Sequence, residues 1–361
     1  MNLPSVINRG MSHRMKSAGA CINFVNAVGN SLQFGKSRGE DLALRTVLLA
    51  SMNNSYVEGS AMLTGISGQT VRNHIRDKNP DGLLQINQDL IGAMKEKGLF
   101  GKPLIVAFDW HDEMYYGDHN AEGVIGTKNS RGSNYAYEYA TASVVMKGIR
   151  FVIAVIPVKN RGLLRMVSGL LNVIESNGIR IEILLLDGGF YSAELIRYLN
   201  SSGIRFIIHA PQLRKQCDGK EIDRIYTTKG HRRRKDQQAS FRIVSIYGRG
   251  KKGVILYIFA TNADTPPLRV LKFFKKRWGI ETGYRMIRKF LARTTTKIWR
   301  IRLMYFYLAV LLYNLWVLLN MVSDVQIIAD NVRVFVASIL IRNNPFVTNP
   351  VPLNGCSGGD F

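Results

Sequence analysis

Three carboxylates in this chain fall where phosphodiester chemistry could use them. Asp109 closes the apolar run Pro103-Leu-Ile-Val-Ala-Phe108. Asp187 closes a second run, Ile181-Glu-Ile-Leu-Leu-Leu186, and Glu281 is the single acid among twelve Lys and Arg between Arg269 and Arg302. A lone Glu on a cationic helix is usually a surface ion pair. If the three converge, however, they make an oxygen-only site of the type Mg²⁺ and Mn²⁺ prefer, and such sites hold two ions about 3.5–4 Å apart. His111, Asp112 and Glu113 follow Asp109 closely. The histidine could assist a proton transfer, whereas acids beyond a strand end are most often solvated.

Convergence needs particular elements. Residues 103–108, 135–146 and 151–158 read as strands, rich in β-branched and aromatic side chains, with Lys147-Gly148 as a hairpin turn between the last two. Residues 162–177 have helical periodicity. Then come a strand ending at Asp187, a helix over 192–201 and a strand over 205–209. An antiparallel meander followed by a βαβ part is the arrangement of ribonuclease-H-like α/β domains with a mixed sheet, in which the first and fourth of these strands are neighbours. The two Asp residues can then meet. At Asp264-Thr-Pro-Pro a helix start is written, with Thr265 as cap and Pro266 at the first position. It is predicted to run to Leu291. At about 100° per residue, Phe274, Arg277, Glu281, Tyr284 and Arg288 would share one face.

The 361 residues carry 49 Lys and Arg against 26 Asp and Glu, a net charge of +23. That excess points to a polyanion, with nucleic acid the leading candidate. Hydrophobic residues at 46% suffice for a sizeable core and exclude a disordered chain. Cys21, Cys217 and Cys356 lack metal-ligand or disulfide spacing. The polar, basic first thirty residues do not resemble a secretory leader, so a cytoplasmic, nucleoid-associated protein is expected.

Residues 1–100 read as a helical DNA-binding region, 101–211 as the first part of the core, and 212–263 as a β-rich insertion. Residues 264–342 complete the core with two further helices, and 343–361 are a loose tail rich in Pro and Gly. Within the first region, Ala61, Gly65, Val71 and Ile75 have helix-turn-helix spacing, leaving Gln69, Arg72 and Asn73 for base edges and phosphates; an ordinary helical hairpin has the same spacing. The run Lys229-Gly-His-Arg-Arg-Arg-Lys235, with Arg232, Arg233 and Arg234, is either a solvated loop or a phosphate contact. Residues 303–322 carry no formal charge, long enough for a membrane span. Tyr and Asn interrupt them, which favours a buried core helix and no membrane partner.

Asp109, the run Asp187-Gly-Gly-Phe190-Tyr191, and Arg277 with Glu281 on a basic helix resemble the catalytic elements of DDE transposases from bacterial and archaeal insertion sequences. The resemblance is to the insertion-sequence-four-like group, whose helix bears a Tyr-x2-Arg-x3-Glu-x6-Lys signature. Here it reads Phe274-x2-Arg277-x3-Glu281-x6-Arg288. Phe274 loses a hydroxyl, and Arg288 keeps the charge in a different geometry or leaves the role to Lys289. The resemblance implies that Asp109, Asp187 and Glu281 hold two Mg²⁺ or Mn²⁺ ions for strand cleavage at element ends and transfer into target DNA. It further implies that Arg277, Tyr284, Arg288 and Lys289 contact DNA, and that the protein dimerises on double-stranded DNA carrying terminal inverted repeats. A ribonuclease-H-like nuclease without strand transfer and a non-catalytic DNA-binding protein are the rival readings.

Overall fold

A computed structural model of the chain describes residues 13–342 apart from residues 36, 97, 147–148, 160–161, 229–237, 251–252, 278 and 323–327. The basic run at 232–234 and the tail after 343 therefore lie outside the described residues. In chain order the elements are α1 (His13–Ser31), α2 (Arg38–Asn53), α3 (Val57–Thr64), α4 (Gly68–Ile75), α5 (Gly82–Glu96), β1 (Leu104–Met114), β2 (Val124–Ser130), β3 (Ser133–Met146), β4 (Ile149–Val158) and α6 (Leu163–Ser176). There follow β5 (Ile181–Leu186), α7 (Ala193–Ser201), β6 (Phe206–His209), α8 (Arg214–Cys217), β7 (Ile222–Thr227), β8 (Ser240–Gly250), β9 (Gly253–Thr261), α9 (Pro267–Lys276), α10 (Gly279–Lys289), α11 (Trp299–Val322) and α12 (Ala329–Arg342).

Two compact units result. One spans residues 91–285; the other combines the described residues up to 90 with those from 286 onward.

The first unit is a ribonuclease-H-like mixed sheet. Its strand order is β2-β3-β1-β5-β6-β9-β8-β7, with β4 also on β3. β1 meets β3 over Val106 to Met114, whose partners run back to Ala136, while β4 pairs from Glu138 and β2 reaches only Tyr135 to Tyr137 and Ser133. A strand has two edges, so β2 and β4 share the edge of β3 that β1 leaves open. β1, β5 and β6 are parallel. The last β1–β5 pair is Ala107↔Leu185, and the last β5–β6 pair is Leu186↔Ile208. Asp109 and Asp187 each lie two residues beyond the first of these pairs, and Asp187 and His209 each one beyond the second. Three chemically active side chains thus stand level at the carboxyl ends of three adjacent parallel strands, the usual place for a site in such sheets.

Alternation along each strand decides which way they face. Ile105, Ala107, Ile183, Leu185, Ile207, Val244 and Phe259 form one buried face, and α9 covers it with Val270, Leu271 and Phe274. Asp109, Asp187 and His209 continue the same odd-numbered series towards α9.

The structure adds to the sequence reading and departs from it in several places. β1 does not stop at Asp109 but continues to Met114, because the polar residues beyond it keep pairing with β3 through Met114↔Ala136. β2 was not anticipated: Gly126 and Lys128 to Ser130 are exposed, so the strand shows no apolar alternation. The segment 212–263 is β-rich, and its strands continue the main sheet, with β9 joining β6 antiparallel and β8 and β7 following. Finally, the expected single helix to Leu291 is two. α9 ends at Lys276 and α10 opens at Gly279, a residue that costs a helix interior roughly 1 kcal/mol relative to Ala. Phe274 and Arg277 are therefore on a different helix from Glu281, Tyr284 and Arg288. Thr265 does not cap α9: Pro266 occupies the cap with Pro267 following, and the Thr265 hydroxyl is buried without a hydrogen-bond partner among the described residues.

The second unit is helical. Ser37 caps α2, its hydroxyl accepting from the Glu40 amide, while the Glu40 carboxylate accepts from the Gly35 amide at 2.9 Å. α3 ends in Gly65 at φ +73, a left-handed conformation suited to glycine, and Ser67 caps α4 three residues before Thr70. The anchors Ala61, Val71 and Ile75 are buried, as the helix-turn-helix spacing requires. α11 is long and apolar enough to cross a membrane by length and composition, yet 89% of its 18-residue apolar window is buried in the fold. Buried Asn314 donates to Asn87 at 2.7 Å, satisfying a polar group inside that helix cluster.

Candidate catalytic centre and nucleic-acid contacts

The carboxyl end of β1 brings Asp109 forward, and the turn after β5 brings Asp187. One side chain joins them: the Arg277 guanidinium lies 3.6 Å from Asp109 Oδ2 through Nη1 and 3.4 Å from Asp187 Oδ1 through Nη2. Exposure grades across the site, with side chains 8% exposed for Arg277, 17% for Asp109 and 46% for Asp187. The site is thus closed on the Arg277 side and open at Asp187. Arg277 is the residue that closes α9, just past Lys276, and its guanidinium also packs 5.2 Å from the Phe274 ring. Its Nε is buried without a hydrogen-bond acceptor among the described residues.

Local packing fixes the two aspartates. Asp109 Oδ1 accepts from the Trp110 amide at 3.0 Å. The Trp110 indole turns to the opposite face of β1, stacks on Phe190 at 4.5 Å, and rests against Gly189. A Cβ at position 189 would come within 2.6 Å of that ring. The Gly after Asp-Gly is therefore a close-approach position that lets the β1 and β5 ends pack side by side. His209 Nδ1 lies 3.9 Å from Asp187 Oδ1. Burial holds this histidine below its ordinary pKa; Asp187 opposes that and Arg277 reinforces it.

Tyr284 is engaged within the fold. Its hydroxyl hydrogen-bonds the Thr141 hydroxyl, its ring stacks on buried His111 at 5.5 Å, and it packs against the sheet core. Burial, and next the Asp109 charge, raise its pKa well above the usual tyrosine value, so the phenol keeps its proton. Asp109 pairs with Thr141 across β1 and β3. Tyr284 is thus a strut from α10 onto the strand pair that carries Asp109, three residues after Glu281 on the same helix. The Glu281 side chain lies outside the described residues, and among the described residues no group of three metal-ligating side chains forms. Asp109 and Asp187 supply oxygen donors only, which suits Mg²⁺ or Mn²⁺.

Of the other candidates, Asp112 faces away from Asp109: with Trp110 and Glu138 it lines a cavity of about 490 Å³ on the far side of the strand. Register puts Glu113 on the Asp109 face, four pairs further out. Gln69 and Asn73 are exposed on α4 and hydrogen-bond each other at 3.0 Å; Arg72 donates to Gln69 Oε1 at 2.9 Å and ion-pairs with Glu58. Arg288 is exposed near the end of α10, where its backbone carbonyl accepts from Asn54. Lys289 is held by Asp330 at 3.2 Å. The sequence reading missed His209, Thr141 and the Trp110–Gly189 contact. The doubled glycine after Asp187 was the available signal for the last.

Residues 136–315 match the transposase DDE domain family. No curated protein matches the chain. Among solved structures, the fold is similar to a cryo-EM structure of a piggyBac transposase synaptic complex with hairpin DNA, at 13% identity and a TM-score of 0.56, over 89% of this chain and 78% of that one. The matched segment, from β3 into α11, is thus similar to a transposase DDE domain, and it includes Asp187, Arg277 and Glu281.

Proposed function

We propose that this protein is a DNA transposase of the insertion-sequence-four-like group, cutting strands at element ends and joining them to target DNA, with Asp109, Asp187 and Glu281 as its metal ligands. The observation that carries the reading is the pair of aspartates, level at the ends of parallel β1 and β5 and held by one buried guanidinium. Two Mg²⁺ or Mn²⁺ ions, when bound, would lower the pKa of an attacking water or 3′-hydroxyl and stabilise the leaving oxygen.

The chain's own residues account for the rest. Arg277 balances the two carboxylates and lies beside the place where a scissile phosphate would enter from the open Asp187 side. Trp110 against Gly189 holds the two aspartates in register. Protonated Tyr284 fixes α10, and with it the backbone of Glu281, against β1 and β3. Gln69, Arg72 and Asn73 on α4 would read the element end, and Arg288 and the basic segment around Arg232, Arg233 and Arg234 would contact phosphates. The related structure is a synaptic complex with hairpin DNA, which supports a homodimer that pairs two element ends.

The test supplies element-end duplex, target plasmid and Mg²⁺ to the purified protein. Cleaved ends and joined product are expected from the wild type. Asp109→Asn, Asp187→Asn and Glu281→Gln each lose both by at least about a hundredfold while still binding DNA. Cleavage without joining would instead identify a nuclease, and full activity in any of the three variants would reject the ligand set.

A further inference from the structure

The helix that delivers Arg277 has a second, outward face. Residues 265–280 contain five Lys or Arg and no acid. While Val270, Leu271 and Phe274 are buried beneath α9, Arg269, Lys272 and Lys276 are exposed. At about 100° per residue these three fall within an arc of about 60°. The Phe273 ring lies between the ends of the row, with the Arg269 guanidinium and the Lys276 ammonium each 5.4 Å from its centroid. None of the three cations forms an ion pair among the described residues. An unneutralised row of this kind on an amphipathic helix is unusual, because the (i, i+3) and (i, i+4) neighbours that would pair with it are absent.

We infer that this face of α9 is a binding surface for the phosphate backbone of duplex DNA, leading the strand along the helix to the carboxylate pair. The inference rests on the transposase reading and adds to it a contact surface apart from the signature residues. Charge complementarity selects the occupant. From Arg269 to Lys276 the row is roughly 10 Å long at 1.5 Å rise per residue, which matches about three base pairs at 3.4 Å each. It ends next to Arg277, so a strand lying on it arrives at Asp109 and Asp187. A row that tracks phosphates contributes sequence-independent affinity.

The experiment measures binding of the full-length protein to two fluorescein-labelled duplexes of equal length, an element end and a scrambled sequence, by anisotropy across a range of NaCl concentrations. The variant Arg269→Gln/Lys272→Gln/Lys276→Gln should lower the magnitude of the log K against log salt slope by two to three, at about 0.9 per phosphate contact. Its affinity for both duplexes should fall by the same factor, at least about tenfold. Lys272→Gln alone, which the fold tolerates at an exposed position, should lower the slope by about one. An unchanged slope in both variants overturns the inference while leaving the transposase reading intact. A loss confined to the element end also overturns it, since that is the signature of base readout. Failure of the wild type to bind either duplex overturns the transposase reading itself, together with this surface.

Discussion

At the scale of single residues, the centre depends on atoms that carry no charge as much as on those that do. Gly189→Ala places a methyl against the Trp110 ring and should destabilise the fold by about 1–3 kcal/mol, as overpacking of tight sites does. Strand cleavage should fall as well, because Trp110 is the residue whose amide holds Asp109. Urea denaturation of the single and double variants checks the cause: in a Trp110→Ala background the added methyl should cost almost nothing, and an additive double variant would show that the contact is not the reason. A milder test applies to the strut. Tyr284→Phe keeps the ring stack on His111 and removes the hydrogen bond to Thr141, for an expected loss of about 1 kcal/mol in the same assay. At this scale the sequence disclosed the aspartates, because each follows an apolar run that reads as a strand. It did not disclose Thr141 or His209, since one hydroxyl in a buried strand and one histidine at a strand end carry no pattern.

Elements position these residues, and α9 is the one held most deliberately. Arg242 on β8 forms a double-pronged pair with Asp223 on β7 and donates to the carbonyls of Ala263 and Thr265, tying the sheet edge to the loop from which α9 starts. The Arg242 guanidinium, mainly through that hydrogen-bonded pairing, holds the Asp223 carboxyl below the usual carboxylate range. A depressed pKa in the folded state means that the pair stabilises at pH values above the unfolded carboxylate pKa. That contribution is lost as pH falls through the lower folded value. Asp223→Asn should therefore be less stable than the wild type by about 1 kcal/mol at pH 7, with the gap closing progressively below about pH 4; thermal melts at pH 7 and pH 3 decide it, and an equal gap at both would remove the ion pair from the account. The strands β3 to β6 were legible because their apolar runs are continuous. The extension of β1 past Asp109 was not, because Asp-Trp-His-Asp-Glu-Met reads as a polar loop and is held as strand only by its pairing with β3. Likewise, periodicity across residues 267–289 is the same whether one helix or two carry it.

For the whole molecule, composition spoke clearly on charge and ambiguously on hydrophobicity. A net charge of +23 pointed to a polyanion, and the family match to a transposase DDE domain agrees with that direction. The apolar α11 satisfies the length criterion for a span, yet its side chains are consumed within the helical unit. The protein is accordingly expected in the supernatant of a detergent-free lysate after high-speed centrifugation; recovery only from detergent-extracted membranes would reverse that expectation.

The pairing of β1 with β3 has one more implication. Nine consecutive partners, from Val106↔Val144 to Met114↔Ala136, hold Asp109 on the side where Arg277 waits and Trp110 on the other. Because side chains swap sides at every step, a shift of the strand by one position would turn the carboxylate toward the far cavity and the indole into the reaction centre. If Asp109 serves as proposed, a one-residue insertion between Val106 and Asp109 is expected to abolish strand cleavage as completely as deleting the acid, while leaving every reactive group still present in the chain.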